Sequence, residues 1–261
     1  MATGMKKKTR RRRAELAEPA HFRLLSTLKD YHECSRTLAL SFLLVLPLLV
    51  LYEVGIVLLQ APVGSGAGIE VRFLFDRAFG TKSALVFNAL IAAGFLGAFV
   101  YLKWNDAVRL DVWPLLMLES TAYALVLGYA VPMIASSLPV VNAVGAHTDS
   151  VALRLVLSIG AGVYEEILFR LGLMSALYAL AMLLVPEHGR IASPVIVLVS
   201  AVLFSACHHV VMGNEPFAAY EFLYRFLFGV ALSAVYLYRG LGAAVYTHAI
   251  YDTIVTLRFG L

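Results

Sequence analysis

The chain has 261 residues, 61% hydrophobic and 15% charged, with a mean hydropathy of +0.81 and a formal net charge of +4. A soluble domain averages about 45–50% apolar and about 25% charged, and a water-soluble fold of this size has too little interior to hide the excess. Disorder, collagen and coiled coils are excluded by the same figures, so the expected fold is all-α: a polytopic transmembrane helical bundle.

Residues 1–36 read as a basic, polar N-terminal tail. Seven of the 21 Lys and Arg residues lie in Lys6–Arg13 (KKKTRRRR), and without them the chain would be net −3. The basicity therefore belongs to the tail, and no nucleic-acid partner is expected. No apolar core follows directly, as a signal peptide would require. The tail is expected on the cytoplasmic side of a bacterial inner membrane, set there by the positive-inside rule and leaning on anionic lipid headgroups.

A span needs about 20 mostly apolar residues. Residues 37–140 form an N-terminal set of transmembrane helices. Thr37–Gln60 is the first span, with Pro47 as a kink and Glu53 near its far end. The connector APVGSGAG follows, then an interfacial segment, Ile69–Lys82. Ser83–Leu102 is the second span, Lys103–Asp111 a charged loop, and Val112–Ser136 a third span containing Glu119.

Residues 150–258 make the second half. Val151–Val185 is apolar apart from Arg154, Glu165, Glu166 and Arg170. As one helix it would be roughly 50 Å long, so it is either tilted or broken. After a loop at Pro186–Arg190 come Ser193–Met212, Glu221–Tyr238 and Gly242–Leu257, the last two joined by a tight turn at Arg239–Gly240. The total is seven spans, or eight if the long stretch is two. Cys34 and Cys207 are too few and too badly placed for a disulfide framework.

Ionisable groups inside spans are costly unless paired or facing a cavity, and each is a functional-site hypothesis. Here they are Glu53, Glu119, Glu165, Glu166, Arg170, His208, His209, His248 and Asp252. In YEEILFR, Glu166 and Arg170 are four apart and can pair, while Glu165 is turned about 100° away. FSACHHV carries His208 and His209, with Phe204 one turn before His208 on the same wall. In THAIYDT, Asp252 is four residues from His248 and can hold its imidazole by one nitrogen. Carboxylates and imidazoles from three spans would line a water-filled pocket, and such a pocket suits hydrolysis.

EEILFR (Glu165–Arg170), FSACH (Phe204–His208) and HAIYD (His248–Asp252) resemble, in order, the EExxxR, FxxxH and Hxxx(N/D) motifs of the CPBP family. That family holds CAAX prenyl endopeptidases and bacteriocin-processing or self-immunity proteins. The resemblance covers about Leu153 to Leu257. It implies an intramembrane endopeptidase acting on a membrane-associated protein or peptide. It further implies that Glu165 activates water with His208, that Glu166 and Arg170 shape the site, and that His248 and Asp252 stabilise an oxyanion. The last motif ends in Asp where the eukaryotic prenyl proteases carry Asn, and an ionised Asp can only accept a hydrogen bond. Asp252 is thus expected to orient His248.

Members are often labelled metalloproteases, and Glu165, His208 and His248, with Asp252, could in principle ligate zinc. No HExxH helix is present, and a glutamate-type protease without a cofactor is the favoured reading. The competing class is a non-catalytic scaffold, immunity factor or transporter that uses the same cluster for binding. A transporter would more often show inverted repeats, and the sequence has none.

Overall fold

The computed structural model describes residues 20–60, 80, 83–137, 150–184, 189–210 and 217–259. The run Lys6–Arg13, the connector after Gln60 and nearly all of the expected interfacial segment lie outside the described residues. Every regular element among those described is helical. They are α1 (Ala20–Ser35), α2 (Leu38–Leu58), α3 (Ser83–Trp104), α4 (Trp113–Ser136), α5 (Val151–Glu165), α6 (Ser175–Leu184), α7 (Gly189–Val210), α8 (Ala219–Arg239) and α9 (Leu241–Phe259). A 3₁₀ turn, Leu110–Val112, leads into α4.

Among the described residues, four helices are long and apolar enough to cross a membrane: Leu38–Leu58, Leu110–Ser136, Val151–Leu184 and Ala219–Arg239. Ala89–Trp104 and Ser193–His209 are shorter apolar helices. The outward faces carry large apolar side chains, among them Val57, Leu118, Leu125 and Leu183, as a lipid-facing surface would. α2 continues through Pro47 as one helix.

The long apolar stretch is not two elements. α5 runs without interruption through a π-helical segment, Glu166–Met174, into α6, so Val151–Leu184 is one helix of 34 residues. π segments relax the helical ladder locally and recur at functional sites. This one begins at the second acid of EEILFR.

α9 was expected as an ordinary span, and its composition is instead that of a central helix. It packs against α5, α4, α2 and α8, and every residue from Leu241 to Ala249 is buried. Its small residues, Gly242, Ala243, Ala244 and Ala249, let neighbouring backbones approach closely, as in membrane-embedded helix pairs. The polar residues Thr247, His248 and Asp252 lower its hydropathy, and Thr247 and His248 are buried by the ring of helices around it.

Contacts order the helices between two ends. Ser41, Leu116 and Gly242 meet at the end near α1. Deeper in the bundle, Gly128 lies against Tyr251 and Gly55 against Val156. Ser158 Oγ and Thr256 Oγ1 are 3.1 Å apart. Thus α2, α4 and α9 run away from the α1 end, and α5 starts at the opposite end and runs back. α8 also returns, bringing Arg239 to Ser35, and α7 lies antiparallel to it through Ser205 Oγ, which donates to Phe222 O at 2.6 Å.

The polar appendage expected over residues 1–36 contains α1, which docks on the bundle. Tyr31 and Ser35 are buried. Arg239 donates to Glu119 from Nε (2.5 Å) and Nη2 (2.8 Å), and Nη2 also reaches Ser35 Oγ at 3.0 Å. The hydroxyls of Tyr31 and Tyr123 donate to the same carboxylate. Burial, reinforced by Glu119, pushes the Tyr31 phenol up, which keeps it a donor. Glu119 is therefore a strut that fixes the α8–α9 turn. Removing one member of a buried ion pair costs about 3–5 kcal/mol, and losing one neutral hydrogen bond about 1 kcal/mol. Glu119→Ala is expected to lower the thermal midpoint in detergent several-fold more than Tyr123→Phe; equal effects would show that the strut is not under tension from Arg239.

The turn itself needs glycine. Gly240 has φ +86°, and a Cβ there would come within 3.0 Å of Arg36 O.

Candidate active site

Glu165 closes α5, and Glu166 opens the π segment; their side chains are 4% and 0% exposed. The two acids diverge, as the helical period requires, yet both reach His248. Glu166 Oε1 lies 2.8 Å from His248 Nδ1, and Glu165 Oε2 lies 3.8 Å from His248 Nε2. The other oxygen of Glu165 is 3.7 Å from His208 Nε2. A single carboxylate thus stands between two imidazoles from different helices.

The sequence pairing of Glu166 with Arg170 is present at 3.1 Å, with both side chains buried. Arg170 Nη2 also donates to Gly229 O at 3.2 Å, and the guanidinium lies 4.7 Å from the centroid of the Phe204 ring. A wholly buried cation needs such compensation. Through Glu166 it balances a carboxylate that also holds His248.

His248 Nδ1 is held by Glu166, and Asp252 Oδ2 approaches Nε2 at 3.3 Å. Sequence reasoning assigned the orientation of this ring to Asp252 alone. It missed Glu166, since a contact across 82 residues leaves no trace in local spacing. The same nitrogen, Nε2, is shared by Asp252 and Glu165.

The tautomer of His208 follows from its partner. Nδ1 lies 2.9 Å from Phe204 O. A carbonyl only accepts, so Nδ1 carries the proton, and Nε2 of the neutral ring faces Glu165 as an acceptor. Phe204 stacks edge-on against the His208 ring with centroids 4.9 Å apart, and Phe228 does the same to His248 at 5.1 Å. Phe228 was not singled out from the sequence; on an apolar helix it is indistinguishable from packing. His209 turns away and lies between Phe217 and Phe222. Glu53 sits apart from the two histidines and accepts from the Tyr164 hydroxyl.

One glycine sets the spacing. A Cβ on Gly162 would meet Ala249 N at 2.6 Å and Ala249 Cα at 2.8 Å. Only a bare Cα lets the α5 and α9 backbones come this close, one turn before the acids and beside His248. Among the described residues, no group of three or more His, Cys, Asp or Glu side chains is arranged to hold a metal ion.

Residues 147–254 match the family model described as Type II CAAX prenyl endopeptidase Rce1-like. No curated protein and no solved structure matches the chain. The matched segment contains all three motifs and every residue of the acid–histidine cluster. Over those residues the chain is similar to that family, and the match supports an intramembrane protease of the CPBP family.

Proposed function

We propose that this protein is a glutamate-type intramembrane endopeptidase that hydrolyses a peptide bond of a membrane-associated protein or peptide. The observation that carries the reading is Glu165 flanked by His208 at 3.7 Å and His248 at 3.8 Å inside an apolar bundle. Both separations exceed a direct hydrogen bond and suit a water shared between the two groups.

In this mechanism Glu165 takes a proton from the water, which also donates to His208 Nε2. The resulting hydroxide adds to the scissile carbonyl carbon. His248, able to donate from both nitrogens between its carboxylate acceptors, turns Nε2–H toward the oxyanion. Glu166 and Arg170 are positioning residues: the first holds Nδ1, the second neutralises the first. As the C–N bond breaks, protonated Glu165 returns its proton to the leaving amine. Asp252 faces the same nitrogen and keeps the ring in plane until substrate displaces it.

Proteases of this family need no cofactor. Processing is therefore expected to be unchanged after dialysis against EDTA or exposure to 1,10-phenanthroline. Loss with chelator and recovery with zinc would reinstate metal catalysis.

The substrate is to be found by comparing membrane proteomes of a deletion strain with strains rescued by wild type, Glu165→Ala or His208→Ala. An uncut precursor should persist in the deletion and both variant strains. Its disappearance in all rescued strains would favour a non-catalytic scaffold.

A further inference from the structure

We propose that Arg225 is a specificity-determining residue: its guanidinium, beside the acid–histidine cluster, holds a carboxylate of the substrate and so sets which peptide bond reaches Glu165. This rests on the hydrolytic reading of the cluster.

The packing of α7 on α8 places Arg225 next to His208. The two helices run antiparallel, with Ser205 Oγ donating to Phe222 O at 2.6 Å. A Cβ on Gly229 would lie 3.2 Å from Phe204 Cδ1 and 3.3 Å from Ala201 Cα, so this face of α8 is pressed onto α7. Side chains four residues apart share a helix face. Toward the end where α7 stops and α8 starts, Arg225 is one turn from Gly229 and His208 is one turn from Phe204. Both therefore lie in the same seam. The cation stands close enough to His208 to act on its imidazole electrostatically. Glu221, one turn further along, continues this face of α8. Side-chain exposure rises along the path, from 4% at Glu165 and 12% at His208 to 22% at Glu221 and 33% at Arg225.

Within the chain Arg225 is loosely engaged. Its Nη1 lies 3.5 Å from Glu221 Oε2, longer than a charge-assisted hydrogen bond, and a partly exposed i,i+4 pair is weak. A guanidinium carries five donors in a planar fork that matches a carboxylate two at a time. A substrate carboxylate can displace Glu221 and take the stronger bidentate geometry.

The surrounding charges make that position selective. Glu166 is matched by Arg170, while Glu165 and Asp252 both face His248. A substrate acid placed further in would meet those two carboxylates and be repelled. One attractive position next to repulsive ones fixes the register of a bound chain. The carboxylate can belong to an Asp or Glu side chain near the cut or to the free end of the substrate chain.

The full-length protein in liposomes tests this with synthetic peptides spanning the cut of a precursor that accumulates in the deletion strain. In one series each Asp or Glu is replaced by its amide; in the other the C-terminus is amidated. Wild type is expected to lose about 10- to 100-fold in kcat/KM, through KM, on one of these changes, the scale of a lost charge-assisted hydrogen bond. The series in which the loss falls identifies the source. Arg225→Gln should show the same loss with the parent peptide and none beyond it when the carboxylate is removed. Glu221→Gln, which frees the guanidinium, should lower KM. A wild type indifferent to every carboxylate, or an Arg225→Gln variant with reduced kcat at unchanged KM, would overturn the proposal. Failure of the hydrolytic reading shows separately, as undiminished cleavage of the parent peptide by Glu165→Gln, or as no accumulating precursor at all, in which case the proposal falls with it.

Discussion

Glu165→Gln is expected to slow processing of the precursor by about 10²–10⁴-fold, with unchanged insertion, yield and thermal midpoint. That range is what a positioned general base contributes. The substitution preserves shape and leaves the His208 and His248 contacts sterically intact, but an amide takes no proton from water at neutral pH. The measurement is the rate of precursor conversion by purified protein in liposomes. Retention of more than a tenth of the rate would move the base to His208 and demote Glu165 to an electrostatic role. Glu166→Gln should behave differently. It loses a negative charge next to Arg170, which is wholly buried, so both stability and activity are expected to fall.

Gly162→Ala is expected to cost at least about 10²-fold in activity, although it touches neither substrate nor any titratable group. The added methyl would sit 2.6 Å from Ala249 N and 2.8 Å from Ala249 Cα, and backbone cannot turn aside as a side chain can. Relief requires α5 and α9 to separate by about 1 Å. That lengthens the 2.8 Å contact between Glu166 and His248 and moves Glu165 away from both imidazoles; displacements of this size cost about 10²-fold in preorganised sites. Gly97→Ala is the matched control, because nothing lies within 4 Å of its Cβ position. There the change should be neutral or slightly stabilising through helix propensity. Equal activity in the two variants would show that the α5–α9 crossing can relax without disturbing the site.

Much of the architecture was legible because lipid makes the sequence declare itself. A span must be apolar over about 20 residues and helical throughout, so length and hydropathy alone locate the helices. The limits appeared where that logic weakens. α9 is sheltered by other helices rather than by lipid, so its hydropathy misstates its place at the centre. The tail before residue 36 looked like a polar appendage because the partner that buries Tyr31, the Glu119–Arg239 pair, comes from two segments far along the chain.

For the site, residue types and i,i+4 spacings identified Glu165, Glu166, Arg170, His208, His248 and Asp252 as a group, and the Glu166–Arg170 and His248–Asp252 pairs follow from helical period alone. Local spacing could not say that Glu166, rather than Asp252, takes the Nδ1 nitrogen of His248, or that Gly162 is the contact that makes this possible. The sequence by itself determined a helical membrane protein with acids and imidazoles buried on three helices, because each such group is too costly in lipid to be incidental. Tertiary structure alone decided that one carboxylate stands between both histidines and that Val151–Leu184 is one continuous helix. The first is a relation between helices, and only the packing of small residues against a neighbouring backbone fixes it.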